Sequence, residues 1–112
     1  MAGKAIAPRL VALPRTTALS REVAVAVGLR ARLLGLAYLE REEVGGGLLI
    51  PRCSSIHTFG MRFALDLVFL DADGAPLSFR PGVGARRMVG HRRAAAVLEL
   101  PSPGGEFARL VH

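Results

Sequence analysis

The chain has 112 residues and a formal net charge of +6. That is enough length for one domain that buries roughly two-thirds of the surface its unfolded form exposes, and too little for a second. A hydrophobic fraction of 51% excludes intrinsic disorder, and no run of residues nears the roughly 18 uninterrupted apolar positions of a membrane-crossing helix. Aromatic residues make up only 5%, so the core must be built from Leu, Val and Ala.

Residues 1–20 read as an N-terminal extension ahead of a single mainly β domain over 21–112. Pro8, Arg9, Pro14 and Arg15 interrupt the apolar character of this extension, so it lacks the continuous apolar stretch of a secretory signal, and a cytoplasmic location is expected. The single Cys53 cannot form an internal disulfide, which fits a reducing compartment. The short run 9–13, closed by Pro14, reads as an edge strand or as part of a loose N-terminus. Residues 22–27 (EVAVAV) suit a strand buried on both faces, and Gly28 breaks it.

From Leu29 the period changes. Leu29, Leu33 and Leu36 recur at helical spacing while Arg30 and Arg32 fall off that face, which predicts a short amphipathic helix over 29–40. Gly35 weakens that helix and marks either close packing or an early end. Residues 40–43 read as a solvated charged segment and Gly45-Gly46-Gly47 as a flexible turn. The triplet is no phosphate cradle, because no Gly-Lys-Ser or Gly-Lys-Thr follows it. Leu48-Leu49-Ile50 reads as a strand, ended by Pro51 and Arg52.

A short extended piece is expected at 56–59, with Gly60 permitting a bulge or tight turn. The clearest strand is 63–70, joined through the turn 71–74 (DADG) to a second strand at 75–79 as a β-hairpin. Residues 81–90 read as a loop and 94–100 as a strand; the tail 106–112 has no clear pattern. Short strands between Gly- and Pro-rich turns, with one modest helix, predict a mainly β sandwich or barrel.

Four segments carry a family resemblance: RLLGL at 32–36, GLLI at 47–50, CSSIHTFGMRFALDLVFLDADG at 53–74, and VLELP at 97–101. In order and spacing they resemble the domain of unknown function 192 family across about 22–105. Where many members read tryptophan-methionine-x-asparagine-threonine, this chain has His57-Thr58-Phe59-Gly60-Met61, and so looks like the branch with an I-H-T-F-x-M signature. The resemblance implies a jelly-roll-like sandwich or partly open barrel with one short α-helix. It supplies a motif map and no mechanism.

Chemistry-bearing residues concentrate in 53–70. Alternation puts Met61, Phe63, Leu65, Leu67 and Phe69 on one face and Arg62, Ala64, Asp66, Val68 and Leu70 on the other, so Asp66 stands half-buried and needs a partner. Arg62, Arg32, Arg52 or backbone donors near Thr58 are candidates. Glu99 poses the same problem within VLEL: it either reaches an arginine such as Arg32 or meets Asp66 across a cleft as an acid/base pair. A binding or accessory module for a small molecule or protein partner would place its pocket at His57, Thr58, Met61, Asp66 and Glu99, with Arg32 as charge partner. A hydrolase or acyl-transfer enzyme would use Cys53, His57 and Asp66 as nucleophile, base and orienter. Nucleic-acid binding would fall to Arg86, Arg87, Arg92 and Arg93, although the arginines are otherwise scattered. There is no C-x-x-C or H-x-H pair to suggest a metal, and no motif calls for a cofactor.

Overall fold

The computed structural model describes residues 5–103; Lys4 and the tail at 106–112, His112 included, lie outside them. Within that span eight strands form two sheets. The main sheet holds β1 (Arg15–Ala18), β2 (Arg21–Val25), β3 (Leu48–Pro51), β8 (Ala96–Pro101), β5 (Leu65–Leu70) and β6 (Pro76–Val83), side by side in that order. It is an open sheet rather than a closed barrel, with β2 and β3 parallel and the other neighbours antiparallel. The second sheet pairs β4 (Ser55–His57) with β7 (Met88–Gly90). Two short helices accompany them, α1 (Pro8–Val11) and α2 (Leu29–Leu34), together with a 3-10 turn at Arg41–Glu43.

The apolar runs become strands buried on both faces. Registers across the three central strands align Leu48 with Glu99 and Leu67, and Ile50 with Val97 and Phe69; their side chains share the main core with Leu10, Leu36, Leu39, Ile56 and Val89. The intervening positions Val23, Val68, Leu70 and Leu98 form a smaller core on the reverse face. The alternation expected along 61–70 holds along β5, which begins at Leu65; residues 61–64 are not strand, although Met61 and Phe63 still pack against the main core. Because Ile56 and Val89 belong to the main core, the two-stranded sheet covers that same face.

Several elements differ from the sequence reading. Residues 9–13 are not extended: Pro8 starts a single helical turn that buries Leu10, and the edge strand is β1. The helix expected over 29–40 stops at Leu34, where Gly35 adopts φ +54°. That break turns Leu36 into the core and leaves Leu29 and Leu33 at 74% and 59% exposure. Residues 40–43 are an ordered turn with a reciprocal capping box between Glu40 and Glu43. Within 81–90 the hairpin strand β6 runs on to Val83, and β7 follows.

The glycine triplet is a packing device rather than a flexible turn. A Cβ at Gly46 would lie 2.2 Å from the Glu22 carbonyl oxygen, and one at Gly47 would lie 2.7 Å from that of Glu99. The backbone here passes between β2 and β8 at a distance only glycine permits. On the far side, the fully buried Thr58 ties the 84–87 loop to β4: its Oγ1 donates to the Gly84 carbonyl at 2.7 Å and accepts the Arg87 N–H at 2.8 Å.

Two stability predictions follow from these contacts. Gly46→Ala should cost about 1–3 kcal/mol or more, because the clash is with backbone that cannot rotate aside; an unshifted urea midpoint would show that the approach is not close. Thr58→Val should cost about 1–3 kcal/mol, since it removes both hydrogen bonds that tie the loop to β4, while Thr58→Ser should recover most of the loss in the same measurement.

Candidate functional site

The region of interest is a cavity of about 140 Å³ between α2 and the two sheets, bordered by Arg32, Gly35, Cys53, Ser55, His57 and Glu99. Its polar floor is Glu99. This residue sits on β8, the strand hydrogen-bonded to β3 on one side and β5 on the other, and its side chain rises from the core face between Leu48 and Leu67. The residue is 2% exposed, and its Oε1 has no hydrogen-bond partner among the described residues. Loss of water pushes the Glu99 carboxyl up to about 7, only partly opposed by the Leu36 backbone N–H. Gly35 makes room for it, since a Cβ there would lie 2.8 Å from Oε1.

The border residues hold α2 in place above this carboxyl. Arg32 donates through Nη1 to the Pro51 carbonyl and through Nη2 to that of Arg52 at 2.9 Å. It therefore ties the helix to the end of β3 and does not neutralise Glu99. His57 Nδ1 accepts the Phe59 backbone N–H at 3.2 Å, so Nε2 carries the proton and donates to the Leu33 carbonyl at 3.0 Å. Both ring nitrogens are thus occupied. The Cys53 thiol donates to the Ser55 carbonyl at 3.1 Å.

The fold brings together Arg32, Cys53, His57 and Glu99 from the sequence-derived candidates and separates the rest. Asp66 aligns with Leu100 and Glu99 with Leu67, so the two acids lie on opposite faces of the sheet and form no acid/base pair. The Asp66 carboxylate instead accepts the Gly82 N–H at 2.8 Å, at the register shift where Pro81 and Gly82 of β6 both oppose Asp66 of β5. It can orient nothing at His57, and Cys53, His57 and Asp66 form no relay. Arg62, a suggested partner for Asp66, pairs with Glu40 at 2.6 Å. Thr58 serves the loop tie described above, and Met61 packs against the main core without bordering the cavity.

Arg86, Arg87, Arg92 and Arg93 are exposed on either side of β7 and border neither this cavity nor the one described below. Among the described residues no three His, Cys, Asp or Glu side chains group as metal ligands, and no helix is long and apolar enough to cross a membrane. Sequence reasoning missed the part played by Gly35. Its signal was a glycine inside a helical pattern, the meaning of which depends on an acid more than sixty positions away.

Two solved structures share the fold. A protein named as a candidate transcription regulator, from Sinorhizobium meliloti 1021, is 23% identical, with a TM-score of 0.63 over 87% of this chain and 83% of its own. A protein of unknown function from Novosphingobium aromaticivorans DSM 12444 is 20% identical, also with a TM-score of 0.63, over 98% of this chain and 87% of its own. No curated protein matches the chain. The profile of the family DUF192, described as Uncharacterized ACR, matches residues 11–110. With nearly its whole length matched, the chain belongs to the DUF192 family.

Proposed function

We propose that this chain is a small-molecule binding module whose ligand occupies the cavity beneath α2 and donates a hydrogen bond to Glu99. The observation that carries this reading is the buried Oε1 of Glu99, which has no hydrogen-bond partner among the described residues and belongs to a residue that lines the cavity. A buried acceptor without a partner costs about 1–3 kcal/mol, which a bound donor would recover. At about 30 Å³ for a water-sized group, the 140 Å³ cavity takes about five such groups. The Arg32 guanidinium on the same border disfavours a cation, so the ligand class is a small uncharged N–H or O–H donor.

Binding accounts for these residues better than covalent catalysis does. His57 has no ring nitrogen free to take a proton from Cys53, and the thiol's own hydrogen bond runs to a carbonyl. A reducing, cytoplasmic setting suits the free thiol on the cavity border.

Pyrazole, a neutral five-membered N–H donor, is a suitable probe. In a 1H–15N NMR titration it should shift the backbone resonances of Gly35, Leu36 and His57 saturably. Glu99→Leu should abolish these shifts while still admitting benzene. Equal pyrazole binding by the leucine variant, or shifts elsewhere on the molecule, would refute the site.

Glu99 should also set a pH dependence of stability. Its carboxyl rises from 4.5 to about 7 on folding, so the folded protein keeps a proton that the unfolded chain has lost. Stability is therefore fully retained below about pH 4.5 and declines as pH rises through about 7, by about 3 kcal/mol in total. Glu99→Gln removes this titration, and the difference in urea-unfolding free energy between variant and wild type should widen in the variant's favour over that range. A difference that stays constant with pH would exclude the effect.

A further inference from the structure

On the other side of α2 lies a second and larger cavity, of about 280 Å³, that shares only Leu34 and Gly35 with the first. Its walls are apolar, with Leu10 and Leu13 from the N-terminal segment facing Val27 and Leu34, and its charged members are Arg9 and Arg30. Arg9 reaches inward and donates through Nη2 to the carbonyls of Gly35 at 2.9 Å and Ala37 at 2.7 Å. Its Nε and Nη1 have no hydrogen-bond partner among the described residues, and Arg30 makes no side-chain hydrogen bond or ion pair with any of them.

Two guanidinium groups on one apolar cavity give it a definite chemical preference. Burial lowers the Arg9 pKa and the like charge of Arg30 lowers it further, with Glu43 acting against both. An anion would relieve that repulsion. The planar fork of a guanidinium matches a carboxylate, and the leucine and valine walls suit an alkyl chain. At about 30 Å³ for a water-sized group, 280 Å³ accommodates about nine such groups.

We infer that this cavity is a second binding site, for an amphipathic monocarboxylate of medium chain length. The carboxylate engages Arg9 and Arg30, and the chain lies along Leu10, Leu13, Val27 and Leu34. The inference is independent of the Glu99 site, because it draws on neither that carboxyl nor His57.

The test is a 1H–15N NMR titration of the full chain with sodium octanoate, 1-octanol and sodium acetate. Octanoate should shift Leu10, Leu13, Val27 and Leu34 saturably, octanol should bind at least tenfold more weakly, and acetate should give no saturable shift. Arg30 is exposed, so Arg30→Glu should keep the wild-type spectrum elsewhere and weaken octanoate at least tenfold. Octanol binding as tightly as octanoate, octanoate affinity unchanged in Arg30→Glu, or octanoate shifts lying elsewhere would each overturn the assignment. The octanol comparison on wild type stands even if the variant fails to fold.

Discussion

A carboxyl group stands in the middle of this protein's main core, on the strand bonded to neighbours on both sides, and the layer above it is shaped around that group. Glu99 sits level with Leu48 and Leu67, where an apolar side chain would ordinarily close the row. Packing leucine directly over an unpaired carboxyl would leave it without water or a hydrogen-bond donor. The chain instead passes over it as a glycine in the left-handed region, ends its helix there, and turns Leu36 back into the core so that a backbone N–H faces the acid. Glu99 also lines the cavity beneath α2.

The abrupt end of α2 has a structural cost that other residues offset. A helix of six residues has little stability of its own, and its leucines at 29 and 33 face outward instead of anchoring it. Side chains take over that task. Arg32 holds the helix to the end of β3, His57 holds the Leu33 carbonyl, and Arg9 collects the carbonyls of Gly35 and Ala37 just past its end. Arg41 does the same for the Ser102 carbonyl next to β8. Arg9, Arg32 and Arg41 thus fasten backbone segments next to the ends of α2 and β8, which gives these three charges a structural use.

The two cavities flank one short helix and differ in chemistry. One pairs a buried acid with polar border groups; the other pairs two arginines with apolar walls. Gly35 and Leu34 are common to both, so a ligand in either cavity touches the same turn of backbone.

Local pattern was enough to locate the central strands of the main sheet, though not β1 or β7. The alternation of β5, the Asp71 to Gly74 turn, the buried Val23 and Ala24 of β2 and the strand before Pro101 are all decided by side-chain period and turn chemistry acting over a few residues, which the chain carries in its own order. The resemblance of 53–74 and 97–101 to DUF192 was legible for the same reason, since it too is a matter of residue order. What each polar residue does was settled only by the tertiary structure. Asp66 and Glu99 looked alike, each an acid in an apolar strand, yet antiparallel register sends them to opposite faces, where one meets the Gly82 amide and the other keeps an oxygen with no partner among the described residues. The glycines at 45–47 looked like freedom, yet Gly46 and Gly47 proved to be close approach, because their neighbours are the backbones of β2 and β8. Cys53 and His57 looked like a reacting pair, but their hydrogen bonds go to carbonyls and an amide that only folding brings within reach or leaves there. Period fixes which face a residue takes on its own strand; which groups it then meets depends on strand order and register, and those are properties of the whole sheet.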